Sequence, residues 1–198
     1  MKCRSRIPGL IAGFATLVAC AGGSQSKPAS QAPARTEAAR PAAAPVQPKV
    51  APTDWLVSDS ATRTATLTLE VTHSPGAPSA VLNGYRAGEA RVIVPKGWTI
   101  KWNWRNADSS APHSLAIMIQ REKIPLEGGR PAFTNAITRM LTGGLPAGQT
   151  DQTTFEADEA GWYWILCGVP EHAVKGEWLE LRVDPEVTTA KVAIKERG

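Results

Sequence analysis

The 198-residue chain is poor in the side chains that most often carry chemistry, with three cysteines, three histidines and three methionines. Cys3 lies among the first residues and Cys20 closes an apolar stretch, so Cys167 is the single thiol in the body of the chain. With no partner left for it, a disulfide framework is excluded. The stretch Ile7 to Ala19 falls short of the ~20 apolar residues that a spanning helix needs. Charge of one sign is scarce too. From residue 53 onward 15 basic side chains meet 17 acidic ones, a balance of −2, which leaves no footprint for a nucleic acid. No grouping of residues resembles a hydrolase or transferase constellation.

What is present begins with an export signal: Lys2, Arg4 and Arg6 precede the apolar stretch. Its end, Leu17-Val18-Ala19-Cys20, resembles the lipobox of bacterial lipoproteins, which implies cleavage after residue 19 and acylation of Cys20. Losing Lys2, Arg4 and Arg6 lowers the formal charge from +4 to +1, so the pI near 9.1 partly reflects the signal. From Ser24 to Pro52 the chain is rich in Ala, Pro, Ser and Gln and has no apolar periodicity from which to build a core. This reads as a semi-extended tether, with a reach on the order of 80 to 100 Å at ~3.1 Å per residue of polyproline II. Its Lys27, Arg35, Arg40 and Lys49 suit an anionic lipid surface. The expected organisation is a lipoprotein signal peptide at 1–19, a lipidated cysteine and tether at 20–52, one domain at 53–185 and a tail at 186–198. The expected location is the outer face of a bacterial membrane, in the periplasm or at the cell surface, with a monomeric domain.

The body alternates with period two. Thr64 to Val71, Ala90 to Val94 and Trp98 to Trp104 read as strands, as do His113 to Ile119, Thr153 to Ala157, Gly161 to Leu166 and Trp178 to Val183. Asn83-Gly84, Pro95-Lys96-Gly97, Ala107-Asp108-Ser109-Ser110 and Asp158-Glu159-Ala160-Gly161 punctuate them as turns. Seven or eight short strands predict an all-β fold, a Greek-key β-sandwich or barrel. The exception is a long insertion, residues 120 to 150, with room for a short helix from Pro131 to Leu141. Trp98, Ile100, Trp102 and Trp104 share one parity and should face the core. Gly161 to Leu166 carries large apolar groups on both faces. Either the insertion covers Trp162 and Trp164, or these two form a docking patch for a redox partner protein.

Cys167 sits in Leu166-Cys167-Gly168-Val169-Pro170-Glu171-His172, and Glu177 completes the spacing Cys-x4-His-x4-Glu. Upstream, His113 ends a Pro-His-Ser turn. One thiolate and two imidazoles are what a mononuclear electron-transfer copper site requires, with a weak fourth ligand above their plane. Both ligand types serve Cu(I) and Cu(II), and a stiff β scaffold limits their movement when the charge changes. Cys167 must lose its proton to bind. Three histidines are too few for a multicopper oxidase. His73, ahead of Ser74-Pro75-Gly76, reads as a solvated turn residue, and Met118 should face away from the metal.

These residues carry a family resemblance. Asn83-Gly84-Tyr85 with Gly88, Val94-Pro95-Lys96-Gly97-Trp98, Asn106, Pro112-His113-Ser114, Phe155-Glu156-Ala157, Gly161-Trp162-Tyr163 and Cys167 to Ala173 with Gly176 and Trp178 resemble the cupredoxins, and most closely their sulfocyanin branch. The resemblance spans about Leu82 to Leu181. It implies a cupredoxin-like Greek-key fold and one type 1-like copper ion on His113, Cys167 and His172. Methionine usually stands where this chain has Glu177, which leaves the fourth position open between Glu177, Met140 of the insertion, a water and no ligand.

A carboxylate ligand is hard and anionic, so it should favour Cu(II), lower the potential and turn the site green or red instead of blue. The function expected is that of an exported, membrane-tethered electron carrier between redox partners. A nitrosocyanin-like enzyme with an open coordination position is the alternative, and a copper sequestration or resistance protein is another. The chain lacks the Met-rich or His-rich tracts that suit copper storage.

Overall fold

In the computed structural model, which describes residues 49–195, the alternating segments become strands that close on one core. Ten strands run in chain order: β1 Leu56–Asp59, β2 Thr64–Thr72, β3 Val81–Leu82, β4 Ala90–Pro95, β5 Trp98–Asn106, β6 Ala116–Ile119, β7 Thr150–Ala157, β8 Gly161–Leu166, β9 Trp178–Asp184 and β10 Lys191–Ile194. They form two sheets. One has the order β1-β2-β5-β7 with β3 also on β2, and the other has the order β10-β4-β9-β8-β6. The β2–β5 and β4–β9 pairs are parallel and the rest antiparallel, so the expected all-β sandwich is built from two mixed sheets.

Parity decides what fills the space between them. Trp98, Ile100, Trp102 and Trp104 on β5 are buried, while Thr99, Lys101, Asn103 and Arg105 between them are not. Leu67, Leu69 and Val71 of β2 and Tyr163 and Ile165 of β8 join the same core. A buried aromatic side chain removes ~150 to 250 Å² from water, a gross gain of ~4 to 6 kcal/mol. The tryptophan row of β5 is therefore a large contribution from a single strand to the apolar core of this fold.

The insertion holds no helix. Its backbone groups are instead taken by β6 and its approach: Ala132 N donates to Ile117 O at 2.7 Å, Ile117 N to Ala136 O at 2.9 Å and Thr138 N to Leu115 O at 2.8 Å. A segment whose donors and acceptors are satisfied across a sheet edge has none left for helical i to i−4 bonds. Phe133 of this segment enters the main core, stacked on Phe155 at 5.6 Å and tilted against Tyr163 at 4.8 Å.

The domain also extends past both expected boundaries. Lys191–Ile194 pairs with β4, so this part of the expected tail is an edge strand of the domain. Ahead of residue 53, Val50 N donates to Asn83 O at 3.0 Å, and the Lys49 ammonium lies 4.7 Å from the Tyr85 ring centre. The signal, Cys20 and the tether up to residue 48 lie outside the described residues.

The second face of β8 divides its two tryptophans. Trp164, 3% exposed, packs with Leu166, Ala173, Met118, Ile124 and Trp178, so the insertion and the loop after β8 cover it. It is not a docking residue, because no face of it is left to offer. Trp162 remains 40% exposed, with the guanidinium of Arg91 at 4.5 Å and that of Arg182 at 5.0 Å from its ring.

Candidate metal centre

Two strand registers bring the donor residues together. Ala116 pairs with Leu166, and continuing this antiparallel register sets Ser114 beside Gly168. Leu166 pairs with Trp178, and the next step sets Cys167 opposite Glu177, where Cys167 N donates to Glu177 O at 3.1 Å. The loop between β8 and β9 is thus closed at its neck by its own first and last donor residues. Inside it His172 N donates to Val169 O at 3.2 Å, Glu177 N to His172 O at 3.1 Å and Gly176 N to Ala173 O at 2.9 Å. Gly176 has φ +112°, and a Cβ there would meet the Arg86 guanidinium at 2.8 Å, so glycine is needed at this bend.

The ligand atoms of His113, Cys167, His172 and Glu177 all lie within 4.8 Å of one another. The two Nδ1 atoms are 3.2 Å apart, and Cys167 Sγ is 3.9 Å from that of His113 and 3.6 Å from that of His172. Metal–nitrogen bonds of about 2.0 Å and metal–sulfur bonds of about 2.3 Å set ligand-to-ligand edges of about 3.3 to 3.7 Å in a three- or four-coordinate site. The three observed separations are close to such edges, so the residues fit one transition-metal ion. Glu177 is nearer still, with Oε2 2.9 Å from Nδ1 of His113 and 3.2 Å from that of His172. Its Oε1 is also 2.9 Å from His113 Nδ1 but makes no hydrogen bond, leaving a fully buried carboxylate oxygen unpartnered within the donor cluster.

Burial is uneven around the cluster. Cys167, Glu177 and His113 are 0%, 1% and 2% exposed, whereas the side chain of His172 is 22% exposed. Burial pushes the Cys167 thiol well above its ordinary pKa, and the charge on Glu177 pushes in the same direction. Burial opposes the imidazolium of His113, yet its hydrogen bonds to Glu177 and Asp108 and their charges outweigh this and raise its pKa. Burial also works to raise the Glu177 carboxyl, but the hydrogen bonds of His113 and His172 and their charges leave it below the usual carboxylate value.

Sequence reading missed Asp108. It was only a turn residue there, yet its Oδ2 is 2.8 Å from Nε2 of His113 and both side chains are 2% exposed. The only signal was an aspartate five residues ahead of the Pro-His-Ser histidine, within reach of one tight turn. His73 proves to stand beside Asp108, with Nδ1 3.8 Å from Oδ2, and its Nε2 is 3.1 Å from Ala77 O. His73, Ser79, Asp108, His172, Lys175 and Glu177 contribute to the wall of a cavity of about 320 Å³ at the cluster. Met118 faces away from the donors, against Trp164. Met140 does not fold over the cluster: it is 61% exposed, with φ +52°.

The insertion instead supplies a backbone wall. Gly128 N donates to Gly168 O at 2.9 Å and Glu171 N to Leu126 O at 2.7 Å. Ser114 Oγ accepts from Gly168 N at 3.1 Å and donates to Leu141 O. A Cβ on Gly128 would meet the Gly168 backbone and the Leu141 side chain, each at 2.7 Å, so these segments pack backbone to backbone.

The family model of the Sulfocyanin (SoxE) domain matches residues 53–194. The chain is similar to sulfocyanin from Sulfolobus acidocaldarius, at 26% identity over 142 residues, covering 68% of this chain and 71% of that protein. Among solved structures it is similar to rusticyanin from Thiobacillus ferrooxidans, at TM-score 0.40 and 22% identity over 62% of this chain and 82% of that one. It is likewise similar to a copper-containing nitrite reductase from Thermus scotoductus, at TM-score 0.44 and 21% identity over 62% of this chain and 28% of that one.

A raised thiol and a raised imidazole mean that a metal ion must displace protons here. Lower pH strengthens the competitor, so copper affinity should weaken as pH falls from about 8 to about 5. Calorimetric titration in buffers of different ionisation enthalpy should count at least one proton released per copper, rising as His113 also becomes protonated. Binding with no proton release at any pH in this range would contradict the arrangement.

Proposed function

The chain belongs to the sulfocyanin domain family within the cupredoxins, and from that premise we propose that it is an exported, membrane-tethered carrier whose copper is held by His113, Cys167, His172 and Glu177. Family membership makes it a copper electron-transfer protein that binds one copper ion. The observation that carries the ligand assignment is the convergence of two Nδ1 atoms, one Sγ and a carboxylate from a closed loop and an adjacent strand approach. Bound there, copper supplies a one-electron Cu(II)/Cu(I) couple.

The residues divide the remaining work. The backbones of Cys167 and Glu177 are locked to each other at the neck of the loop, so their side chains change position little when the metal charge changes. Strands β6 and β8 hold His113 and the start of the loop in one register. His172 is the donor that reaches toward solvent, and its ring edge is the short path by which an electron enters from a redox partner protein. Glu177 brings a full negative charge where a neutral thioether is usual. It favours Cu(II) over Cu(I), and its burial keeps water from screening that charge.

Tethering rests on the Leu17-Val18-Ala19-Cys20 lipobox and the proline-rich stretch after it. A lipid on Cys20 and a reach on the order of 80 to 100 Å at ~3.1 Å per residue would let the domain sweep the space above a membrane and visit more than one partner.

Two measurements test this reading. Glu177→Met should raise the potential and shift the spectrum toward an intense blue. A ten- to hundredfold relative loss of Cu(II) binding corresponds to about 60 to 120 mV for a one-electron couple. An unchanged potential and spectrum would show that Glu177 is not a ligand. In a bacterial host, Cys20→Ala should abolish incorporation of labelled fatty acid and release the protein from the membrane fraction. Unaltered labelling would assign the lipid to another residue.

A further inference from the structure

His113 lies between two buried carboxylates. Glu177 meets Nδ1 on the side where Cys167 and His172 converge, and Asp108 meets Nε2 on the opposite side of the ring. Asp108 is held from every direction. Asn106, fully buried at the end of β5, donates through Nδ2 to Ala111 O at 3.0 Å and to Leu145 O at 2.9 Å, and its Oδ1 accepts from Asp108 N at 2.9 Å. Asp108 Oδ1 accepts from Ser110 N at 2.7 Å and from Ser110 Oγ. Only Oδ2 is left, and it points at His113.

A neutral imidazole has one N–H and one lone pair, and a carboxylate accepts only. Glu177 and Asp108 offer the two ring nitrogens comparable acceptors, but a cation held among the donors at Nδ1 needs that lone pair, so in the loaded centre the proton belongs on Nε2, where Asp108 accepts it. Any acceptor would select this tautomer, including an asparagine oxygen at the same place, but aspartate adds a buried negative charge. Burying a charge costs several kcal/mol unless an opposite charge answers it. His73 Nδ1, at 3.8 Å, lies beyond hydrogen-bond distance of Oδ2. The charge that answers it best is the positive charge developed on His113 when a cation sits at Nδ1.

On the reading that His113 is a copper ligand, we propose that Asp108 is a positioning residue of the centre: it fixes His113 as an Nδ1 donor and strengthens that donor, so that Cu(II) is favoured over Cu(I). The Asn106–Asp108–Ser110 turn keeps this carboxylate in place without its touching the metal.

The test is the potential and spectrum of full-length, copper-loaded Asp108→Asn. The variant should keep the thiolate-to-copper absorption band, and its relative Cu(II) affinity should fall about 10- to 100-fold, as is usual when an outer partner of a ligand is removed. At about 59 mV per tenfold, the potential should then rise by about 60 to 120 mV. Asp108→Glu, which keeps the charge, should restore part of the shift. A wild-type potential in Asp108→Asn overturns the proposal, whereas a wild-type protein with no thiolate band would overturn the ligand assignment beneath it. If Asp108→Asn does not fold, nitrogen-15 spectra of the wild-type Cu(I) protein still decide the tautomer. They should show a slowly exchanging proton on His113 Nε2, and a proton on Nδ1 instead would overturn the proposal.

Discussion

The backbone bond from Cys167 N to Glu177 O, 3.1 Å long, is the constraint on which the centre depends. It is one further rung of the β8–β9 ladder, so the forces that pair those strands also close the loop that carries three of the four donors. The rung on the other side of β8 brings in the fourth, since the β6 register sets the His113–Ser114 segment against the start of the loop. A slip of one residue in either ladder would turn every side chain to the opposite face. Tyr163 and Ile165 on one face and Trp164 and Leu166 on the other belong to two distinct apolar clusters, so such a slip would disrupt both.

The same constraint explains the role of the insertion. It contributes no donor, but it lies along β6 and bonds to the loop backbone at Gly168 and Glu171. Leu141 and Gly128 pack against Gly168 where a Cβ would not fit. The donor loop is therefore clamped between a strand on one side and an irregular segment on the other. Such a clamp suits a centre whose charge changes by one unit and whose ligands should not move in response.

Much of this was legible in the sequence, and the reasons differ by element. β5 could be read because Trp98, Ile100, Trp102 and Trp104 repeat with the period of a pleated strand, and β8 because Cys167 follows a run of large apolar residues. The ligand set followed from residue types that are rare in this chain and closely spaced. Short pairings were not legible: β3 has two residues, and β10 follows a turn and has an ordinary composition. The helix expected from Pro131 did not form because β6 offered its backbone better partners, a tertiary effect that local pattern cannot carry. Trp164 was ambiguous for a related reason, since its cover comes from Ile124, distant in sequence, and from Ala173 in the folded loop after β8. Asp108 stayed hidden because turn chemistry alone accounts for an aspartate beside Ser109 and Ser110.

The chain thus reads as a cupredoxin-like domain of the sulfocyanin family in which the fourth donor carries a charge and a second buried carboxylate backs one histidine. On the proposed ligand set both groups act in the same direction, toward Cu(II). The central claim is that one copper ion is bound through the Cys167 thiolate with two imidazoles and a carboxylate. It is tested most directly by optical and electron paramagnetic resonance spectra of the copper-loaded protein beside its Cys167→Ser variant. The account predicts one Cu(II) per chain with strong thiolate-to-copper charge-transfer bands that vanish in the variant. A copper-loaded protein that lacks those bands, or a variant that keeps them, would contradict it.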